Sequence, residues 1–344
     1  MNNIDLQFAG EIREIRNRIG RSERKDYVTT YNEKEFLNGR TRDERVLILR
    51  TRGCSWSYHS GCSMCGFWED TNPEINANDI LKQIEDFLKD YNKGDVLKVF
   101  TSGSFFDPLE VSEEIQIPII EKLLNHYNFL IVESRPEYII NKAERLKQFA
   151  GKLQVAMGME STNPDVLKYL INKNYNFEDF KRASETLHRN GISVRAYLLM
   201  KPPFMKEQEA IEDTIKSARD ISSFADFISI NPMNIQKGTL VESLYKEGNY
   251  RPPWLWSVVE VLLSLRDIQI PVVSLITGSG KSRGPHNGHS CDRIFSESIR
   301  KYSETRDFTY LEKLSCECRE KWECFKTGEN SLPIQINEAV YNDF

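Results

Sequence analysis

The chain has 344 residues, 40% hydrophobic and 28% charged, with 46 basic against 51 acidic side chains and a formal net charge of -5. That length accommodates one barrel-sized domain with additions, or two to three smaller domains, and the apolar fraction suffices for a core. With 18 Gly and 13 Pro, collagen-like and low-complexity classes are excluded, and no apolar run approaches the ~18–20 residues of a membrane span.

The first stretch, MNNIDLQFAGEIREIRNRIG, has no apolar signal-peptide core, so a cytoplasmic protein without a membrane partner is expected. Between Arg13 and Lys25 six basic side chains face two acidic ones, and Ile12, Ile15 and Ile19 recur at helical spacing. This predicts a basic amphipathic helix, either simply solvated or touching an RNA backbone. Residues 1–45 are taken as an N-terminal helical extension. From residue 46 short apolar runs alternate with amphipathic stretches. Strands are expected at Val46–Arg50, Val96–Thr101, Phe129–Glu133, Leu153–Met159, Ser193–Met200, Phe227–Asn231 and Val272–Ile276. Helices are expected near Asn78–Tyr91, Glu113–Tyr127, Lys142–Phe149, Phe177–Asn190, Lys206–Ser222 and Trp254–Arg266. Such alternation specifies an α/β fold with a mostly parallel sheet, open or rolled into a partial barrel, over residues 46–280. Neither a G-x-G-x-x-G after the first strand nor a P-loop motif is present. A glycine-rich segment then leads into a small Cys-rich module, residues 281–344, ending in a short run at Leu332–Val340 of strand or coil.

The seven cysteines fall in two clusters: Cys54, Cys62 and Cys65 at the front, and Cys291, Cys316, Cys318 and Cys324 at the back. In a chain expected to be cytosolic, such clustering favours metal ligands over disulfides. The front spacing is C-x7-C-x2-C, directly after the first strand, hence at the C-terminal mouth of the sheet where α/β folds bind ligands. Three thiolates without a fourth suit a cubane iron–sulfur cluster with one free iron; zinc completed by His59 is the alternative. Met64, Phe67 and Trp68 are placed to shield such a group or pack on a purine, or simply to join the core. The four rear thiols suit a structural zinc ion, with His289 able to replace one of them; an auxiliary cluster is the alternative.

The front motif resembles the cysteine signature of the radical S-adenosylmethionine (SAM) superfamily. Its longer first gap is similar to the subgroup of the Elongator catalytic subunit. That resemblance implies a partial (β/α)6 barrel binding a [4Fe-4S] cluster and SAM, with an external electron donor. It also gives roles to residues at successive strand ends. Ser102-Gly103-Ser104 stands where the family's turn holds the methionine amino group of SAM, although the family's Glu is missing. Glu133 and Arg135 lie in a segment like E-T-R-P-D-Y; they serve the mouth or pair with each other. Glu160 matches a ribose-binding position, or caps the next helix. Arg195, a cation within an apolar strand, needs a partner, either a SAM carboxylate or Glu160. Asn231 ends the sixth of these strands, and with Met64 and Phe67 completes the expected cofactor contacts. No catalytic residue is assigned.

Together with the basic N-terminal stretch and the Cys-rich tail, these elements are most similar to the archaeal radical SAM family of archaeosine formation. That resemblance implies a tRNA carrying a lysine adduct of a 7-deazaguanine base, a radical cleavage within the lysine moiety, and a lysine-transferring, transglycosylase-like archaeosine synthase as partner. Lys281 and Arg283 would contact phosphates, and Tyr250, Trp254 and Trp256 either stack bases or pack in the core. A radical SAM enzyme acting on a small molecule or peptide, and a non-catalytic zinc-binding RNA adaptor, are the alternatives.

Overall fold

The computed structural model describes residues 3–330, which form one eight-stranded sheet flanked by helices. The strands are β1 (Thr29–Leu37), β2 (Arg40–Ile48), β3 (Gly94–Phe100), β4 (Tyr127–Glu133), β5 (Leu153–Glu160), β6 (Ser193–Met200), β7 (Phe227–Pro232) and β8 (Val272–Ser274), hydrogen-bonded in chain order. The β1–β2 pair is antiparallel and every later pair is parallel. The C-terminal ends of β2 to β8 therefore open on one side, and the loops that follow them share one mouth.

The helices are α1 (Asn3–Asn17), α2 (Ser55–His59), α3 (Ala77–Asp90), α4 (Glu113–Leu124), α5 (Ala143–Leu146), α6 (Phe177–Arg189), α7 (Glu207–Ile221), α8 (Leu240–Lys246), α9 (Leu255–Ser264), α10 (Asp292–Thr305), α11 (Thr309–Glu312) and α12 (Cys318–Asn330). A capping box starts both α3 and α6: Asn76 with Asp79, and Asn176 with Asp179. The strand alternation sends one set of side chains outward into the main core beneath the helices. The other set forms a smaller inner cluster of Leu37, Val96, Phe129, Ile131, Ala156 and Tyr197.

Each strand expected from sequence is present, and the module after residue 280 carries the cysteine group; the N-terminal helix lies at Asn3–Asn17, earlier than the Arg13–Lys25 stretch that suggested it. The expected run at Leu332–Val340 lies outside the described residues. Two differences stand out. The first expected strand begins six residues earlier, at Arg40, and pairs with β1, which apolar patterning did not reveal. The inward positions of β1 include Glu33 and Glu35, so the usual alternation is masked. The Asn38-Gly39 turn between them, with φ of 53° and 77°, is the signal that marks this hairpin. The C-terminal helices also pack onto the barrel directly. Trp254, Trp256 and Tyr250 are buried there, with Trp256 stacked on Trp322 at 5.9 Å, so they are core residues and not a base-stacking surface.

The sheet is open between β1 and β8, and α10 spans that opening. Tyr302 Oη donates to the Val272 carbonyl at 3.0 Å and Ser303 Oγ to the Ser274 carbonyl at 3.1 Å on β8; on the other side α10 packs against β1, and Thr41 Oγ1 of the adjoining β2 donates to the Glu304 carbonyl at 2.5 Å. Inside the barrel, away from the mouth, lies a charged layer. Lys98 Nζ meets Glu44 at 2.7 Å and Glu35 at 3.2 Å, Arg195 meets Glu35 at 2.8 Å, and Arg195 Nε donates to Gln154 Oε1 at 2.8 Å. The pair between Arg195 on β6 and Glu35 on β1 crosses the barrel. Burial pushes Glu44 up to about 7.

Candidate cluster and cofactor site at the mouth

The loop after β2 carries Cys54, Cys62 and Cys65, all half-buried. Its seven-residue first gap folds as α2 and a turn closed by Gly61 at φ 84°. Three neighbours hold it. The segment after β5 supplies Asn172, whose Nδ2 donates to Ser60 Oγ at 2.5 Å and to the Gly61 carbonyl at 2.6 Å, and whose carbonyl accepts from Trp56 Nε1 at 2.8 Å. The loop after β7 contributes Gln236 Oε1, accepting from the Gly66 amide at 2.5 Å, and the Leu240 amide, donating to the Ser63 carbonyl at 3.1 Å. The third neighbour is α1, whose Arg16 Nη1 donates to the Ser57 carbonyl at 2.9 Å and also to the Ser60 carbonyl. His59 is exposed.

The turn after β3 presses on this loop. A Cβ on Gly103 would lie 2.5 Å from Cys54 Cβ and 2.9 Å from its sulfur, so only glycine allows the approach. Glu110, buried, accepts from the Ser102 amide at 3.0 Å, the Ser104 amide at 2.6 Å and Thr51 Oγ1 at 2.8 Å. Because each peptide is planar and trans, drawing those amides toward Glu110 turns the Thr101 and Gly103 carbonyls the opposite way. Burial raises Glu110 to about 7 despite these bonds. Ser104 Oγ lies 2.9 Å from Ser134 Oγ and accepts from the Arg135 amide at 3.2 Å.

At the end of β4, Arg135 Nη1 donates to Cys54 Sγ at 3.6 Å, and Nη2 reaches Asn174 and Glu137. Glu133 has no side-chain partner among the described residues, and burial pushes it up to about 8. It does not pair with Arg135. At the end of β5, Glu160 adopts φ 66°, a backbone state rare for such a residue, and binds Lys173 Nζ at 2.8 Å. Tyr175 Oη donates to the Gly158 carbonyl. Met64 packs against the core and Phe67 is exposed. Asn231 is the penultimate residue of β7, its Oδ1 accepting from Ser229 Oγ at 3.3 Å. The structure thus gathers Cys54, Cys62, Cys65, Ser102, Gly103, Ser104, Glu133, Arg135 and Glu160 around the mouth.

Arg195 stands apart from them. It is the third residue of β6, five residues or about 16 Å from that strand's mouth end, fully buried and paired with Glu35 and Gln154. Its partner is neither Glu160 nor a group in the mouth. Arg283 likewise pairs with Glu242 at 2.9 Å, whereas Lys281 is exposed.

A second centre joins the approach to α10 with the start of α12. The ligand atoms of His289, Cys291, Cys316 and Cys318 all lie within 4.8 Å of one another. Cys291 Sγ is 3.5 Å from Cys318 Sγ, and His289 Nδ1 is 3.4 Å from Cys316 Sγ. A tetrahedron with zinc–sulfur bonds of about 2.3 Å has edges of about 3.8 Å, close to this spacing. His289 Nε2 meets Glu317 at 3.0 Å, which leaves Nδ1 to face the thiols, and Trp256 Nε1 donates to Cys318 Sγ at 3.3 Å. His289 occupies the place expected for Cys324, which is exposed on α12 and outside this group.

Residues 48–218 match the radical SAM superfamily. Archaeosine synthase subunit beta of Methanosarcina acetivorans is 36% identical over 321 residues, spanning 90% of this chain and 93% of that protein. The chain belongs to the radical SAM superfamily, in the archaeosine synthase subunit beta family. The protein of the same name from Thermococcus kodakarensis is 35% identical over 317 residues, 86% of this chain and 95% of that protein. The crystal structure of methylornithine synthase shares the fold, with a TM-score of 0.51 at 15% identity over 88% of this chain and 75% of that one.

Membership of the radical SAM superfamily implies a [4Fe-4S] cluster and SAM. The residues present fit both. Among the described residues the front thiols do not close to the 4.8 Å grouping seen at the rear centre, as a single zinc ion would require, whereas a cubane spreads its ligands across separate irons. Gly103 leaves the space beside Cys54 free of a side chain. Sequence reading missed Glu110, Asn172 and Lys173, and took Arg16 for part of a basic outer face. Asn172, Lys173, Asn174 and Tyr175 form a polar run directly after an amphipathic stretch, a signal visible in retrospect. Glu110 carried none, since it sits six residues beyond the turn it organises.

Proposed function

We propose that this chain is the radical SAM subunit of an archaeosine-forming system. It would cleave the lysine moiety of a 7-deazaguanine–lysine adduct in tRNA, as a lyase, alongside a lysine-transferring archaeosine synthase and an external electron donor in the cytoplasm. The observation that carries this reading is the kinship over nine-tenths of the chain with proteins named archaeosine synthase subunit beta, whose name places them in an assembly. No described helix is long and apolar enough to cross a membrane.

In this reading Cys54, Cys62 and Cys65 hold the cluster. Bound together, the cluster and SAM supply a 5′-deoxyadenosyl radical able to abstract hydrogen from an unactivated carbon. The chain's own contribution is placement. Glu110 fixes the turn of Ser102, Gly103 and Ser104, where the outward carbonyls of Thr101 and Gly103 suit the SAM ammonium. Glu160, braced by Lys173, offers oxygens to ribose hydroxyls. Met64, Phe67 and Asn231 border the adenosine, and Arg135 steadies Cys54 with a charge-assisted contact. Glu133 remains open to a cationic group of SAM or substrate. Arg195 has no part in this set. His289, Cys291, Cys316 and Cys318 hold a structural zinc ion that staples α12 to the barrel.

The experiment is anaerobic reconstitution of the wild type and of a Cys54/Cys62/Cys65→Ala variant, with SAM, dithionite and tRNA bearing the adduct. Iron, 5′-deoxyadenosine and archaeosine are then measured. Cluster iron, deoxyadenosine and archaeosine in the wild type alone support the whole reading. Deoxyadenosine without archaeosine, with the partner protein present, refutes the substrate. No iron and no SAM cleavage refute the chemistry.

A further inference from the structure

Arg16 on α1 is almost fully buried, 3% exposed, yet among the described residues no carboxylate pairs with it. A buried guanidinium without an anion is costly. Its hydrogen-bond partners are the carbonyls of Ser57 and Ser60, both inside the long gap between Cys54 and Cys62. It lies so close over Gly61 that a Cβ there would fall within the guanidinium group. Gly61, which it covers, directly precedes Cys62. Burial lowers the pKa of the guanidinium, and the charges that act the other way are those of Cys65, Cys62 and Cys54 when these are thiolates.

The placement is built from both sides. Ile12 is buried on the same helix, and Ile19 lies where a Cβ on Gly238 would come within 2.4 Å of it. Arg21, just beyond α1, lies over the Trp68 ring at 4.1 Å and donates to Thr71 Oγ1 at 2.8 Å and to Tyr58 Oη at 2.9 Å. The extra residues of the C-x7-C gap form α2, whose C-terminal carbonyls face this cation. A helix C-terminus is itself an acceptor for positive charge.

We propose that Arg16 is a positioning residue of the cluster site: it grips the long cysteine loop and sets its positive charge beside the three thiolates, holding the cluster at a higher reduction potential. The N-terminal helix is then part of the redox centre and not an RNA-binding arm. The elongated first gap is the dock that receives it. Reduction adds one negative charge to an assembly already anionic through its thiolates, so a fixed buried cation favours the reduced form more than the oxidised one.

This rests on the radical SAM reading, and the test separates the two. Arg16→Gln and Arg16→Lys are reconstituted anaerobically beside the wild type. Iron is counted, and reduction is followed by electron paramagnetic resonance in a potential titration without substrate. The expected result is full iron in both variants, with the Gln variant at least tenfold less reduced at the wild-type midpoint, about 59 mV for one electron, and the Lys variant closer to the wild type. Loss of iron from the Gln variant but not from the Lys variant carries the same conclusion, because charge is what Lys retains. Iron held by both variants at the wild-type potential overturns the proposal. Loss of iron from both assigns Arg16 to loop geometry alone and overturns its electrostatic role. A wild type that binds no cluster refutes the radical SAM reading itself.

Discussion

Replacing Arg195 with methionine separates a structural cation from a cofactor ligand. The side chain is fully buried, 2.8 Å from Glu35 across the barrel and 2.8 Å from Gln154. At an effective dielectric constant of about 20, a pair at 2.8 Å attracts by roughly 6 kcal/mol before desolvation is counted. The layer balances two carboxylates, Glu35 and Glu44, against Lys98 and Arg195. Arg195→Met leaves both acids competing for one ammonium, so a loss of about 3–5 kcal/mol is expected. That corresponds to a fall in Tm of roughly 4–7 °C in a chain this long. The double variant Arg195→Met/Glu35→Gln restores balance through Glu44 and Lys98, and should recover about 2 kcal/mol of the loss. Thermal and urea unfolding of the four proteins of the cycle measure this, with 5′-deoxyadenosine formation at low temperature as the second readout. A single variant as stable as wild type that has lost SAM cleavage would refute the reasoning and return Arg195 to the cofactor.

Gly103→Ala places a methyl 2.5 Å from Cys54 Cβ, so the folded variant should lose most of its cluster iron, read by iron counting beside an unchanged circular dichroism spectrum. At the rear centre Cys316→Ser should abolish bound zinc and cost more than about 4 kcal/mol, whereas Cys324→Ser should keep both zinc and stability within about 0.5 kcal/mol; equal loss from the two, by elemental analysis, would contradict the ligand set. Glu133→Gln tests the open carboxylate of the mouth. Burial raises it to about 8, above its ordinary ~4.3, so its favourable contribution is complete at acid pH and is lost as pH rises towards 8. The variant should therefore match wild type near pH 4.5 and be more stable by about 1–2 kcal/mol at pH 8.5, after allowance for solvent screening, in unfolding curves at both pH values.

Much of this architecture was legible in the chain because parallel strands buried on both faces read as unbroken apolar runs. Ser193–Met200 is such a run but for Arg195, and its bounds agree with β6. The mouth was legible for a related reason: once strands are placed, residues at their C-terminal ends must share a face, which put Cys54, Ser102, Glu133 and Glu160 together. What escaped is what depends on three-dimensional pairing. The same rule admitted Arg195, because a charge within an apolar strand shows that a partner exists but not where. Its partner lay on β1, a strand hidden because Glu33 and Glu35 occupy inward positions. Arg16 was misplaced for the converse reason: amphipathic spacing separates apolar from basic faces, yet this basic side chain turns toward the site. At the rear, His289 and Cys324 were equally good zinc ligands by chemistry, and only the turn before α10 brings the histidine to the thiols.

The grip of α10 on both edges of the sheet has a consequence for the order in which the molecule is made. Each strand pairs with its immediate predecessor in the chain, so the sheet can grow by accretion as the polypeptide leaves the ribosome. The cysteine loop, the turn at Gly103 and the ends of β4, β5 and β7 would all have emerged while the seam between β1 and β8 still stood open. Only when residues 292–305 arrive is the seam spanned. A nascent chain halted before that point would present two unpaired strand edges to its neighbours, which makes residues 292–305 a guard against intermolecular sheet growth during synthesis.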